Sequence, residues 1–170
     1  AFLVWQLWWT DIAAGQTQRE LTHRLEQQWH APTPPHPSGT AAPVNVKEIP
    51  MGDAFALIRI PRFGHDYVRP ILQGVELDIL DRGVGHYPDS ADPGAVGNFA
   101  VAGHRVTYAK PFNQIAELKK GDAVVIETRD TWYVYRVQRH IIVTPDQVDV
   151  VAPVPQHPGQ KRSEEHTSEL

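Results

Sequence analysis

The sequence contains no cysteine in 170 residues. Without a thiol, the chain as given has no disulfide framework, no thiolate metal site and no sulfur nucleophile. It also lacks a surplus of positive charge: 16 Lys and Arg face 20 Asp and Glu, for a formal net charge of −4. No basic field is available to hold a nucleic acid backbone, so nucleic acid is not an expected partner. Long apolar runs are missing too. The most apolar stretch, AFLVWQLWW over residues 1–9, is well short of the roughly 20 residues that a membrane span requires. No serine occupies a Gly-x-Ser-x-Gly elbow, and before the C-terminal tail only Ser38 and Ser90 occur. A hydroxyl nucleophile is therefore not signalled.

What is present reads as one globular domain with an appendage, since 41% of residues are hydrophobic and 21% charged. Trp5, Trp8 and Trp9 stand directly before polar Thr10 and Asp11. This is the pattern of an aromatic belt closing a transmembrane helix, so residues 1–9 are expected to be the outer end of an anchor. Leu21, Leu25 and Trp29 recur at four-residue spacing, which predicts a juxtamembrane helix over 10–30. The segment APTPPHPSGTAAP at 31–43 holds five prolines and no apolar period, so residues 31–50 are expected to form a semi-rigid linker. From residue 51 the chain turns mainly to β. FALIRI (55–60), the 70–75 segment, NFAVA (98–102), AVVIE (123–127) and WYVYRVQRHIIV (132–143) are predicted strands, the last two forming a long hairpin. Short helices are predicted at 77–80 and 111–118. Several short strands with only small helices argue for a closed or nearly closed β-barrel.

Among nine histidines, His86 and His104 are the obvious candidates for a metal pair. No pair has the one-face helical spacing of zinc enzymes, and no acidic third ligand stands beside them, so neither a metal nor a cofactor is expected. His23, His30, His36 and His157 lie in helical or proline-rich contexts and are expected at the surface. His104 differs in position. It follows a predicted buried strand and Gly103, and precedes Arg105 and the 106–110 loop. A rim position of this kind suits a proton-transferring imidazole, although a histidine at a strand end is more often a hydrogen-bonded loop residue.

Wider sequence context weighs on that choice. The run NFAVAGHRVTYAKPFNQIAEL (98–118), followed by GDAVVIET (121–128), DTWYVYRV (130–137) and IVTPDQVDVVAP (142–153), and preceded by LWWTDIAAGQ (7–16), resembles the class E sortases of high-GC Gram-positive bacteria. The resemblance covers nearly all of residues 1–160. It implies a mainly β fold, the eight-stranded sortase barrel, in a membrane-anchored transpeptidase whose catalytic domain is extracellular. In such enzymes a cysteine attacks the Thr-Gly carbonyl of a C-terminal sorting signal, of Leu-Ala-x-Thr-Gly form in class E. A histidine then protonates the departing amine, an arginine holds the oxyanion, and an amine of a cell-wall precursor resolves the thioester. His104, within Ala-Gly-His, matches the catalytic histidine. Tyr108 stands where class E members carry a tyrosine beside the sorting-signal groove. The implied partners are sorting-signal peptides, a cell-wall precursor amine and the membrane.

The sequence also departs from the family. The cysteine block, of Thr-Leu-Thr-Thr-Cys form, and the arginine strand after it are expected beyond Pro153, and neither occurs. From Arg162 the chain reads RSEEHTSEL, which matches no part of a sortase and does match the in-frame translation of a sequencing-library adapter. Residues 51–161 are therefore expected to form an incomplete sortase barrel that is inactive by itself, with 162–170 an artefactual tail. The rival expectation is a noncatalytic cell-surface β-barrel module that binds a peptide.

Overall fold

The short apolar runs condense into a seven-stranded sheet. The computed structural model describes residues 2–30, 44–144, 146 and 161–166, of which 2–10 and 161–166 are described by their backbone alone. The strands are β1 (Ala54–Arg59), β2 (Val68–Gln73), β3 (Val84–His86), β4 (Gly97–Ala102), β5 (Ala123–Glu127), β6 (Trp132–Arg136) and β7 (Lys161–His166). Their order across the sheet is β6-β5-β1-β2-β3-β4-β7. The β2–β3 and β4–β7 pairs are parallel and the others antiparallel. A parallel pair needs a crossover, and the short helix α2 (Leu77–Leu80) lies in the one between β2 and β3.

The sheet curls into a half-barrel around one apolar core built from Phe55, Ile58, Ile71, Val84, Phe99, Val101, Phe112, Val124 and Ile126. Tyr135 of β6 stacks on Phe99 of β4, with ring centroids 6.3 Å apart, although several strands separate them in the sheet order. The Gly94 N–H donates to the Tyr135 hydroxyl at 2.8 Å. Gly94 has φ +75°, and a Cβ there would sit 2.1 Å from a Tyr133 ring carbon, so both the turn and the close approach require glycine. Among the described residues no ladder joins β6 to β7, and the half-barrel stays open at those two edges.

Helix α1 (Phe2–His30) is longer than the 10–30 expected, and it packs across β1 and β2. None of the helices among the described residues is long and apolar enough to cross a membrane. Among the described side chains of α1 the buried ones are Ala14, Gln18, Thr22 and Leu25, so the docked stripe is rotated from the Leu21, Leu25 and Trp29 line seen in sequence. The helix is tied to the sheet through Arg59 of β1, which bonds Glu127 of β5 at 2.7 Å and Glu26 of α1 at 3.3 Å.

Four further differences from expectation have local causes. Val46 is fully buried and its carbonyl accepts from Gln73 Nε2, so the packed body already includes the end of the expected 31–50 linker. The prolines at 31–43 lie outside the described residues. Strand β3 is missing from the sequence reading because three residues, two flanked by glycine, carry no alternating pattern. Strand β6 ends at Arg136, well before residue 143, because its partner runs out: Val137 closes the ladder with Asp122 O at 3.0 Å and Gly121 N at 2.7 Å. Beyond it Ile142 is 95% exposed. Residues 111–118 do not form an α-helix. Their bonds are of i to i+3 type, with one 3-10 turn at Ile115–Glu117, and Phe112, Ile115 and Leu118 thereby share the core-facing side, as a three-residue period demands.

Lys161–His166 pairs in parallel with β4 from Gly97↔Lys161 to Ala102↔His166. The expected tail thus takes a place in the sheet. Pairing through the main chain asks little of side chains, and an open strand edge accepts almost any extended segment.

Candidate active site

The site begins where β4 must stop. A Cβ on Gly103 would lie 2.9 Å from two ring carbons of Phe112, which is fully buried. This close approach lets residues 104–112 form a closed loop, pinned by the Phe112 N–H donating to the His104 carbonyl at 3.1 Å. His104 is the first residue of that loop, at the end of a rigid buried strand, and its side chain keeps 16% of its surface exposed. The Nε2–H donates to Asp81 Oδ1 at 3.2 Å. The imidazole also lies against the Tyr108 ring, with centroids 5.0 Å apart and planes at 34°.

Asp81 caps the C-terminal end of α2, whose Ile79 and Leu80 are buried. A carboxylate facing Nε2 selects the tautomer protonated there and leaves Nδ1 free to accept or deliver a proton. The arrangement is an oriented, partly exposed imidazole beside an aromatic wall. It can move protons, and it contains no covalent nucleophile.

The loop itself is strained. Tyr108, Ala109 and Lys110 have φ of 52°, 59° and 47°. Three consecutive non-glycine residues in the left-handed region cost about 1–2 kcal/mol each. Local bonds hold part of the turn: Lys110 N–H to Thr107 O at 2.9 Å, Asn113 N–H to Lys110 O at 3.1 Å, and the Tyr67 hydroxyl to the Pro111 carbonyl. The rest of the hold comes from α1. Gln18 Nε2 donates to Tyr108 O at 3.0 Å, Asp11 Oδ1 accepts from Ala109 N–H at 3.3 Å, and Asp11 Oδ2 pairs with Lys110 Nζ at 2.8 Å. A cavity of about 1130 Å³ opens between α1, residues 63–69 and the far side of this loop; neither His104 nor Asp81 lines it.

His86 belongs to a different environment. It is 1% exposed, stacks on Phe99 at 4.9 Å and meets the edge of Phe55. Its Nδ1 lies 2.8 Å from Gln73 Oε1, and its Nε2 lies 3.0 Å from Ser90 Oγ and 3.2 Å from Ala91 O. Burial pushes its pKa down to about 4, against a smaller upward pull from the Ala91 carbonyl. With both nitrogens held by protein groups, this ring cements β2, β3 and the 87–91 turn and does not pair with His104.

The structure therefore brings together the two site residues expected from sequence, His104 and Tyr108, and adds Asp81, Asp11 and Gln18. No sequence signal marked these three, because each lies far along the chain from the loop it contacts. His140 lies outside β6, exposed at the surface.

The sortase domain profile matches residues 58–166, a span that runs from the end of β1 through β7. The chain belongs to the sortase family. Two of its curated relatives, SrtE1 and SrtE2 of Streptomyces coelicolor, are of class E, and a third is sortase D of Bacillus subtilis. The chain is 38% identical over 168 residues to sortase SrtE1 of Streptomyces coelicolor, covering 94% of this chain and 44% of that protein. The chain spans about half the length of the curated relatives it matches. The solved structure of sortase E from Streptomyces avermitilis superposes with a TM-score of 0.65 at 38% identity, covering 71% of this chain and 82% of that one. Sortase E1 of Streptomyces coelicolor, solved with a tripeptide in its active site, gives 0.57 at 41% identity, covering 65% and 72%. The curled, mainly β architecture of this sortase chain is thus the family's own.

Proposed function

We propose that this chain is the histidine-bearing part of a class E transpeptidase that cleaves a Leu-Ala-x-Thr-Gly-like sorting signal and joins the new carbonyl end to a cell-wall amine. In this reading a thiolate forms a thioester with the threonine carbonyl, and the Thr-Gly bond breaks. His104, as imidazolium, gives its proton to the departing glycine amine; it then takes a proton from the incoming amine as that amine displaces the thiolate. Asp81 holds the ring so that the opposite nitrogen faces the groove, and Tyr108 walls the groove on the substrate side. By the same reading the enzyme acts outside the cell membrane, anchored through a membrane helix whose outer end is residues 1–9. The observation that carries the proposal is His104 at the end of β4, oriented by Asp81 and backed by Tyr108.

The chain contains no cysteine, so by itself it is expected to leave a sorting peptide intact. The test is to replace the chain from Arg162 onward with family strands that carry the cysteine and arginine. Peptide cleavage should then appear, collapse with His104→Ala, weaken only mildly with Tyr108→Phe, and survive His140→Ala. A well-folded hybrid that stays inert, or one that tolerates His104→Ala and loses activity with His140→Ala, would refute the assignment.

A further inference from the structure

The way α1 is docked does not follow from apolar burial. Among its described side chains four are buried, and two of these, Gln18 and Thr22, are polar; burying an amide is unfavourable unless it is used. Gln18 is 3% exposed and gives its Nε2–H to the Tyr108 carbonyl. Thr22 returns its hydroxyl to the Gln18 carbonyl at 2.8 Å. Gly15 lies between Asp11 and Gln18, and even a Cβ built there would only touch the Ala109 methyl at 3.8 Å. Asp11 divides its two oxygens between the Ala109 N–H and the Lys110 ammonium. The three residues so held are the three non-glycine residues with positive φ among the described residues, and the first of them carries the ring that backs His104.

We propose that α1 is a positioning element for the His104 site. Asp11 and Gln18 clamp the 108–110 turn in its left-handed form and thereby fix the Tyr108 ring against the imidazole. This rests on the reading of His104 as the proton-transferring group. Neither Asp11 nor Gln18 touches a reacting atom; both act through the main chain of the turn. Undocking α1 lets that turn relax to ordinary backbone angles, which carries Tyr108 off His104.

The test uses the chain as it stands, isotope-labelled for NMR. In the parent, the His104 ring protons feel the Tyr108 ring current, and Tyr108→Leu defines the signal without it. Combined Asp11→Ala and Gln18→Ala is expected to move the His104 ring signals most of the way to the Tyr108→Leu positions. Amide exchange at Ala109 and Lys110 should become roughly tenfold faster, with the His86 signals unmoved. Asp11→Asn keeps an oxygen for the Ala109 N–H and should retain most of the parent signal. If the double variant does not fold, Asp11→Ala alone makes the same comparison. His104 signals that keep their parent positions while α1 contacts are lost would overturn the proposal. Titration with a Leu-Ala-x-Thr-Gly peptide separates the two ideas. A peptide that leaves His104 and Tyr108 undisturbed in the hybrid carrying the cysteine and arginine strands counts against the functional reading and leaves the clamp standing. A peptide that perturbs them in a protein indifferent to the α1 changes sinks the clamp alone.

Discussion

Acidification should weaken this fold through a single buried ring. His86 has its pKa lowered from 6.5 to about 4, chiefly by burial between Phe99 and Phe55. The folded state therefore binds this proton less readily than the unfolded chain. The stability that the neutral ring contributes is fully present above pH 6.5 and is lost as the pH falls towards 4. The gap of about 2.5 between the two values corresponds to about 3 kcal/mol. By linkage about 2 kcal/mol of it is gone at pH 5, a large part of the 5–15 kcal/mol typical of a domain. Two other groups act in the neighbourhood. Asp122, held down to about 2 by its bond to Arg62, gives stability that is lost only between its ordinary 3.8 and 2. Asp92, pushed up by burial, works in the opposite sense. Urea unfolding at several pH values between 7 and 4.5, for the parent and for His86→Gln, removes both contributions from the comparison. The parent midpoint should fall steeply across this range, and the variant, less stable at pH 7, should fall much less. Parallel pH profiles for the two proteins would refute the reasoning.

Gly103→Ala sets a methyl 2.9 Å from the ring of Phe112, which is fully buried. It should cost about 1–3 kcal/mol in thermal or urea unfolding, and it should shift the His104 ring signals because the strand end moves with it. Arg59→Ala removes the bonds to Glu127 and Glu26 and the cation that lies 6.0 Å from the Trp132 ring centroid. With the arginine 29% exposed, the loss should be near about 1 kcal/mol, and a double-mutant cycle with Glu127→Ala should assign much of it to that pair.

The strands that were legible in sequence are those whose apolar residues face the core along their whole length. FALIRI, NFAVA and AVVIE announce β1, β4 and β5 within a residue or two, because burial on a strand imposes its pattern directly on the sequence. LDIL likewise announces α2. The family was legible in ordered blocks of sequence, most of which the family profile spans. Other features depended on the partner a segment meets. WYVYRVQRHIIV is β-rich throughout, yet it is a strand only as far as Arg136, beyond which its neighbour turns away at Gly121 and Asp122. KRSEEH has no strand pattern, yet it pairs along the open edge of β4. The site divides in the same way. A histidine after Ala-Gly at a strand end can be read from sequence, because those residues are adjacent in the chain. Asp81 is 23 residues from His104, and Asp11 is 98 from Ala109. An exposed-looking aspartate and a glutamine in a polar helix carry no local mark of the loop they hold. Only the curl of the sheet, which brings the end of α2 and the flank of α1 to the same loop, decides that these side chains orient the imidazole and its aromatic neighbour.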